Sequence, residues 1–197
     1  NVMNKNLDDC KKEILNDISR TISFRLCSIG VDLGLFEDLS INGPSTSKEI
    51  ALRKNYNERY IREWLYGISK TGYIYFDKET RKASISNEYS ELFNSEGGKN
   101  SFKGFFKVIN NMLLPYENLI SSFKNGGGIK FEEYNSEFWK GLDLTGCSRY
   151  RSFLVPEWID QVPDIKVKLE KGVKFADFGC GTGRSGGCAA PSGRCAP

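Results

Sequence analysis

Histidine is absent from the 197 residues. With it goes the side chain that most often serves as general base near neutral pH, and the imidazole ligands of most zinc sites. The six cysteines stand at positions 10, 27, 147, 180, 188 and 195 with no C-x-x-C pair among them, so no metal site is expected and the thiols read as reduced. No apolar run approaches the roughly 18–20 residues that cross a bilayer. The opening stretch NVMNKNLDDCKKEI lacks the basic, then apolar, then small-residue order of a secretory signal, and a cytoplasmic chain is the expectation. A dominant charge sign is missing too: 28 basic residues face 25 acidic ones, and Arg184 and Arg194 of that basic set fall in the last fourteen residues. Nucleic-acid-binding proteins usually carry a clustered basic face, and this balance argues against one.

What is present is a globular composition, 39% apolar and 13% aromatic, in a length that fits one large domain or a small domain and part of a second. Ile14, Leu15, Ile18, Ile22, Leu26, Ile29 and Leu33 recur at three- and four-residue steps and draw one stripe along a helix or a pair of helices, with Gly34 as a stop. Such a stripe serves either as a subunit interface, giving a homodimer through the N-terminal helices, or as packing within the chain's own domain.

INGPSTSKEIA places Thr46 three residues before Glu49, the pattern of a capped helix start. NERYIREWLYGISKTGY then sets Ile61, Trp64, Leu65 and Ile68 on one helix face, with Gly72 as terminator. YIYFD and KASIS, around the charged turn KETR, read as two strands. Helix, helix, helix and hairpin is the winged-helix order. The candidate recognition helix, Asn57 to Lys70, balances Arg59, Arg62 and Lys70 against Glu58 and Glu63. Phosphate contacts need clustered cations, so dimerisation or substrate capping fits this module better than DNA.

SFKGFFKVINNMLLPYENLISSFK predicts a further helical stretch bent near Pro115. NGGGIKFEEY follows, and its three glycines form either a connector or a loop close to a ligand. After a turn at Gly172, Val173–Phe178 has the apolar content of a buried parallel strand and runs into Asp177, Gly179, Gly181 and Gly183. Glycines in a strand-to-helix turn let backbone bend tightly and approach a cofactor. The dinucleotide fingerprint G-x-G-x-x-G/A fails here, because position 184 is arginine.

The spacing present is D-x-G-x-G-x-G. With STSKEIA, NERYIREWLYGISKTGYIYFD, FKNGGGIKFEEY and VKLEKGVKFADFGCGTGRS, the chain resembles, from about Leu7 to Ser185, class I S-adenosylmethionine-dependent methyltransferases that carry an N-terminal winged-helix domain. That resemblance implies S-adenosylmethionine as cofactor and a small-molecule methyl acceptor. It also implies that Gly179, Gly181 and Gly183 line the amino-acid end of the cofactor, with Asp177 holding the loop or the methionyl ammonium. Asp177 as a local turn cap is the alternative. Cys180 reads as packing. The same resemblance makes Tyr134 the candidate substrate-facing residue, and it names no catalytic residue.

The pattern breaks after GTGRS. RSGGCAAPSGRCAP has no leucine, isoleucine, valine or aromatic residue to build the helix and second strand that the family carries next. The fold expected is mainly α with a small β wing: a winged-helix domain over 1–93, a helical linker over 94–171, only the first strand of a Rossmann-like methyltransferase domain over 172–185, and a tail over 186–197 foreign to the rest. A truncated, inactive methyltransferase that binds S-adenosylmethionine weakly or not at all is the functional expectation. A non-enzymatic winged-helix module for dimerisation or transcription regulation is the alternative.

Overall fold

The computed structural model describes residues 5–94, 98–174, 176–181 and 183. They form two compact units, one ending at Ser90 and the other beginning at Glu91.

In the first unit α1 (Leu7–Asp32) starts at Asn6, whose side chain accepts from the Asp9 amide, and two acids occupy its first turn, where they favour the exposed N–H groups. The glycine expected to stop it, Gly34, has φ +64° and turns the chain at once into α2 (Leu35–Asn42). Helix α2 was not foreseen: its eight residues are too few to establish a period. Strand β1 (Ser45–Thr46) leads into α3 (Ser47–Lys54), where the capping box forms as read. The Thr46 hydroxyl accepts from the Glu49 amide at 3.3 Å, and the Glu49 carboxylate accepts from the Thr46 amide at 2.7 Å. Helix α4 (Glu58–Ser69) buries Ile61, Trp64, Leu65 and Ile68, the face the spacing predicted. Strands β2 (Tyr75–Phe76) and β3 (Lys82–Ser84) make the wing, and β3 pairs with both β1 and β2 in an antiparallel sheet of order β1-β3-β2.

The core of this unit is set where α1 crosses α4. A Cβ on Gly30 would lie 2.4 Å from Trp64 Cζ2 and 2.7 Å from Phe36, and one on Gly67 would lie 2.7 Å from Leu26 Cδ1. Each helix thus offers a glycine hollow to a side chain of the other. The Trp64 indole N–H donates to the Leu26 carbonyl at 2.8 Å, and the Phe36 ring meets the indole edge-on, centroids 5.1 Å apart. Beside this crossing the buried Asp38 accepts both Nε and an Nη of Arg53, which also donates to the Ser45 hydroxyl at 2.9 Å. The carboxylate raises the Arg53 pKa, and the guanidinium is one that burial alone would have lowered. Burial also pushes the Cys27 thiol up to about 12, so it stays protonated.

Of the N-terminal stripe, Leu26 packs within this unit against Gly67, and the rest stays exposed. The first buried residue of α1 is Cys27, while Leu7, Ile14, Leu15, Ile18, Ile22 and Ile29 are all exposed.

In the second unit α5 (Asn87–Asn94) contributes Phe93, packed on Phe106 at 5.7 Å. Pro115 divides the next stretch into α6 (Lys103–Met112) and α7 (Tyr116–Asn125), a break where a bend was expected. Helix α8 (Ser136–Arg149) continues into a π-helical segment, Tyr150–Ile159, and α9 (Pro163–Glu170) follows. A second close crossing joins α6 to α8: a Cβ on Gly104 would sit 2.6 Å from the Thr145 amide nitrogen, and one on Gly141 would sit 2.7 Å from that of Val108. Helix α8 falls within the helical linker expected over 94–171, although its own bounds were not read from the sequence.

The strand predicted over Val173–Phe178 is corrected here. Val173, Lys174 and Ala176–Phe178 carry no strand pairing, and Phe178 is 95% exposed. A parallel strand needs a neighbour brought by a crossover, and among the described residues none reaches it. Phe175 and the tail from Arg184 onward lie outside the described residues.

Replacing Trp64 by alanine empties the hollow over Gly30 and leaves the Leu26 carbonyl without its donor. The substitution is expected to cost about 3–5 kcal/mol, measured by urea unfolding of the full chain. A loss below about 1 kcal/mol would show that the crossing is not the centre of the core.

Candidate functional site

Of the residues singled out by sequence, Gly179, Gly181 and Gly183 have φ of +81°, +58° and +80°. These are backbone states that side chains with a Cβ rarely hold. Around a Cβ placed at any of the three, no atom of the described residues lies within 4 Å. Between them the Gly183 amide donates to the Cys180 carbonyl at 3.0 Å, closing one turn. Asp177 and Cys180 are exposed on the same stretch. Thr182, inside the motif, lies outside the described residues.

Cys10, Cys27, Cys147 and Cys180 are free thiols. No helix of the described residues is long and apolar enough to cross a membrane.

Tyr134 belongs to a different group. The chain leaves α7 through Gly126, Gly127 and Gly128, all at positive φ with no atom near a built Cβ, and makes one 3₁₀ turn at Phe131–Glu133. There the half-buried Tyr134 stacks on Phe138, ring centroids 4.4 Å apart, and Phe131 stacks on Trp139 at 5.4 Å. Among the described residues the hydrogen-bond and ring partners of Tyr134 are Phe131 and Phe138, and none lies in the 177–183 loop. The structure therefore brings the three glycines together and leaves Tyr134 in its own aromatic cluster. Phe131, Phe138 and Trp139 went unnoticed in the sequence. The visible signal was four aromatic residues in the nine positions 131–139, shortly after a glycine run.

Helix α8 positions that cluster, and a network of charges holds its first turn. Asn135 caps α8 by accepting from the Phe138 amide at 3.0 Å and donates to Asn111 of α6 at 2.8 Å. Glu137 accepts from Lys107 of α6 at 2.8 Å and from Lys140 at 2.6 Å. These two donors, Lys107 first, hold the Glu137 carboxyl down to about 2.

Residues 22–94 match the family model described as the Rv2258c-like winged HTH domain. Among solved structures the chain is similar to the mitomycin 7-O-methyltransferase MmcR, at 18% identity and a TM-score of 0.55, over 72% of this chain and 44% of that one. It is also similar to PigF solved with SAH, at 16% identity and a TM-score of 0.58, over 89% of this chain and 53% of that one. A third is the N,N-8-amino-8-demethyl-D-riboflavin dimethyltransferase RosA from Streptomyces davawensis, at 16% identity and a TM-score of 0.56, over 93% of this chain and 56% of that one. The chain spans about half the length of these structures. No curated protein matches it. The shared feature at these identities is the fold, an N-terminal winged helix followed by a helical region.

The Glu137 pairs carry a pH signature. The folded value lies below the ordinary 4.5, so their contribution to stability is complete above about pH 4.5 and is lost as pH falls toward 2. In Glu137→Gln the fall in melting temperature of the full chain between about pH 5 and 2 should be shallower than in the parent. Parallel acid limbs in the two proteins would mean that the pairs to Lys107 and Lys140 do not form in solution.

Proposed function

We propose that the protein to which these residues belong transfers a methyl group from S-adenosylmethionine to a small molecule, with the winged-helix unit as its dimerisation module. The observation that carries this reading is the D-x-G-x-G-x-G run. Its described glycines all hold positive φ, and it follows a winged helix and a helical region in a chain whose fold resembles about half of the length of proteins named as methyltransferases. S-adenosylmethionine would supply an electrophilic methyl group. On this chain Gly179, Gly181 and Gly183 would let backbone approach its amino-acid end, with Asp177 beside them, and Tyr134 would face the acceptor.

The described residues supply the loop but not a pocket around it. Nothing packs on the glycines, Phe178 is 95% exposed, and no residue is assigned to the adenosine end. The cofactor therefore does not fit the described residues as a closed site, and weak binding or none is the expectation for them. Small-molecule sites bury most of their ligand, which an open loop does not do.

Dimerisation rests on α1. Its exposed Ile14, Leu15, Ile18 and Ile22 make an apolar row at helical spacing, the kind of surface that a second copy covers.

Two measurements test the two parts separately. Calorimetric titration of the 197-residue chain with S-adenosylmethionine should give a dissociation constant weaker than about 10 μM, and tighter binding would mean that the loop closes on the cofactor unaided. Sedimentation should give a dimer that Ile18→Glu with Ile22→Glu converts to a folded monomer. A monomeric parent would end the dimer reading and leave the cofactor reading intact.

A further inference from the structure

Two adjoining clefts lie between α4 and the wing, about 410 Å³ and 530 Å³ in volume, and both are lined by Tyr66, Phe76 and Arg81. Nothing in the proposed methyl transfer uses them. Lys48 and Arg62 line the first, and Lys70 and Lys78 the second. Arg62 is paired with Glu58 at 3.4 Å, and Glu58 also accepts from the Ser47 hydroxyl at 2.7 Å. In the wing turn the Asp77 carboxylate is taken up by the Thr80 hydroxyl and the Glu79 amide, both at 2.8 Å. Among the described residues Lys48, Lys70, Lys78 and Arg81 have no acidic partner within 4.0 Å. A concavity with unpaired cations on low-dielectric walls concentrates anions.

Arg81 gives the clefts their direction. It sits at φ +60°, and it and Asn55 are the non-glycine residues with positive φ among those described. The position closes a hairpin turn in which the Asp77 amide donates to the Lys82 carbonyl at 2.9 Å. Such turns favour glycine or asparagine there, because a long side chain is strained. The arginine held in that strained state lays its guanidinium over the Tyr66 ring, 5.7 Å from the centroid. Among the described residues it donates no hydrogen bond, so its fork of N–H donors is unspent. Tyr66 meets Phe76 edge-on at 5.2 Å, which sets an apolar aromatic wall beside the cation.

We infer that this surface binds a planar aromatic anion, a ring bearing a carboxylate or phosphate group. The ring lies along the wall of Tyr66 and Phe76. The anionic group takes the Arg81 fork in the bidentate manner that guanidinium favours, with Lys48 or Lys78 as a second cation. Duplex DNA is the competing occupant of a winged helix. It fits less well because the exposed face of α4 carries Glu58 and Glu63 beside Arg59 and Arg62, and the unpaired cations line a concavity.

The test is titration of the isotopically labelled full chain with phenyl phosphate, inorganic phosphate, benzyl alcohol and a short duplex, followed by amide chemical shifts. Phenyl phosphate should give saturable shifts centred on Ser47, Tyr66, Phe76 and Arg81, with a dissociation constant of about 0.1–1 mM. Inorganic phosphate and benzyl alcohol should each bind at least about tenfold more weakly. Arg81→Gly relieves the backbone strain, so it should melt no lower than the parent while losing about tenfold in affinity. Tyr66→Leu should weaken phenyl phosphate and leave inorganic phosphate unchanged. The inference falls if phenyl phosphate gives no saturable shifts, if inorganic phosphate binds as tightly, if Arg81→Gly binds like the parent, or if the duplex saturates the same amides at lower concentration.

Discussion

Helices in both units cross more closely than a methyl group allows, and the rest of the structure is arranged around that steric limit. Gly30 and Gly67 admit Trp64 and Leu26 at one crossing, and Gly104 and Gly141 bring the backbones of α6 and α8 together at the other. Protein interiors are close-packed, so a hollow of this depth fixes which side chain enters it. The first crossing sets the angle at which α4 faces the wing. The second sets the N-terminal end of α8, and with it the aromatic cluster around Tyr134. Both of these surfaces are therefore rigid consequences of packing some distance away.

The electrostatics follow the same economy. Asp38 is buried, and it is tolerated because Arg53 meets it through two donors and ties it to Ser45 in β1. Removing one partner of such a pair leaves a charge without compensation, a larger loss than the pair was worth. The exposed pairs, such as Lys11 with Asp8 at 3.4 Å, are worth little. This pair, with Asp38 buried and Arg53 partly exposed, thus ties together α2, α3 and the edge of the sheet.

Local features were legible in the sequence and long-range ones were not. The Thr46 and Glu49 cap, the Ile61, Trp64, Leu65 and Ile68 face, and the hairpin around KETR each depend on spacings within a few residues, and each forms. Helix α8 was legible as part of the helical linker over 94–171, but Gly141, where a partner helix enters, was not, because that contact is made by residues distant in sequence. The apolar run at Val173–Phe178 specified burial, but burial of a parallel strand is conferred by elements distant in sequence. The positive φ of the three motif glycines was legible from residue type alone. That no described residue walls them in was not, since enclosure is a tertiary property. The unpaired Arg81 was hidden for a similar reason: as a letter it is one of a balanced set of charges, and only the turn that holds it makes it unusual.

Helix α1 extends about 39 Å for its 26 residues, yet its first buried side chain comes at Cys27. Unwinding the first turns of the helix would expose no buried side chain of its own, whereas unwinding the C-terminal turns would expose the crossing with α4. In proteins most of a helix's stability comes from the packing of one face, which these N-terminal turns lack. Amide protons along α1 should accordingly report a gradient of local opening free energy, from near zero at the first turn to that of global unfolding beyond Cys27. One continuous helix thereby contains two thermodynamic regimes, and a ligand or second chain that orders the first regime would register in hydrogen exchange while leaving the folded core unchanged.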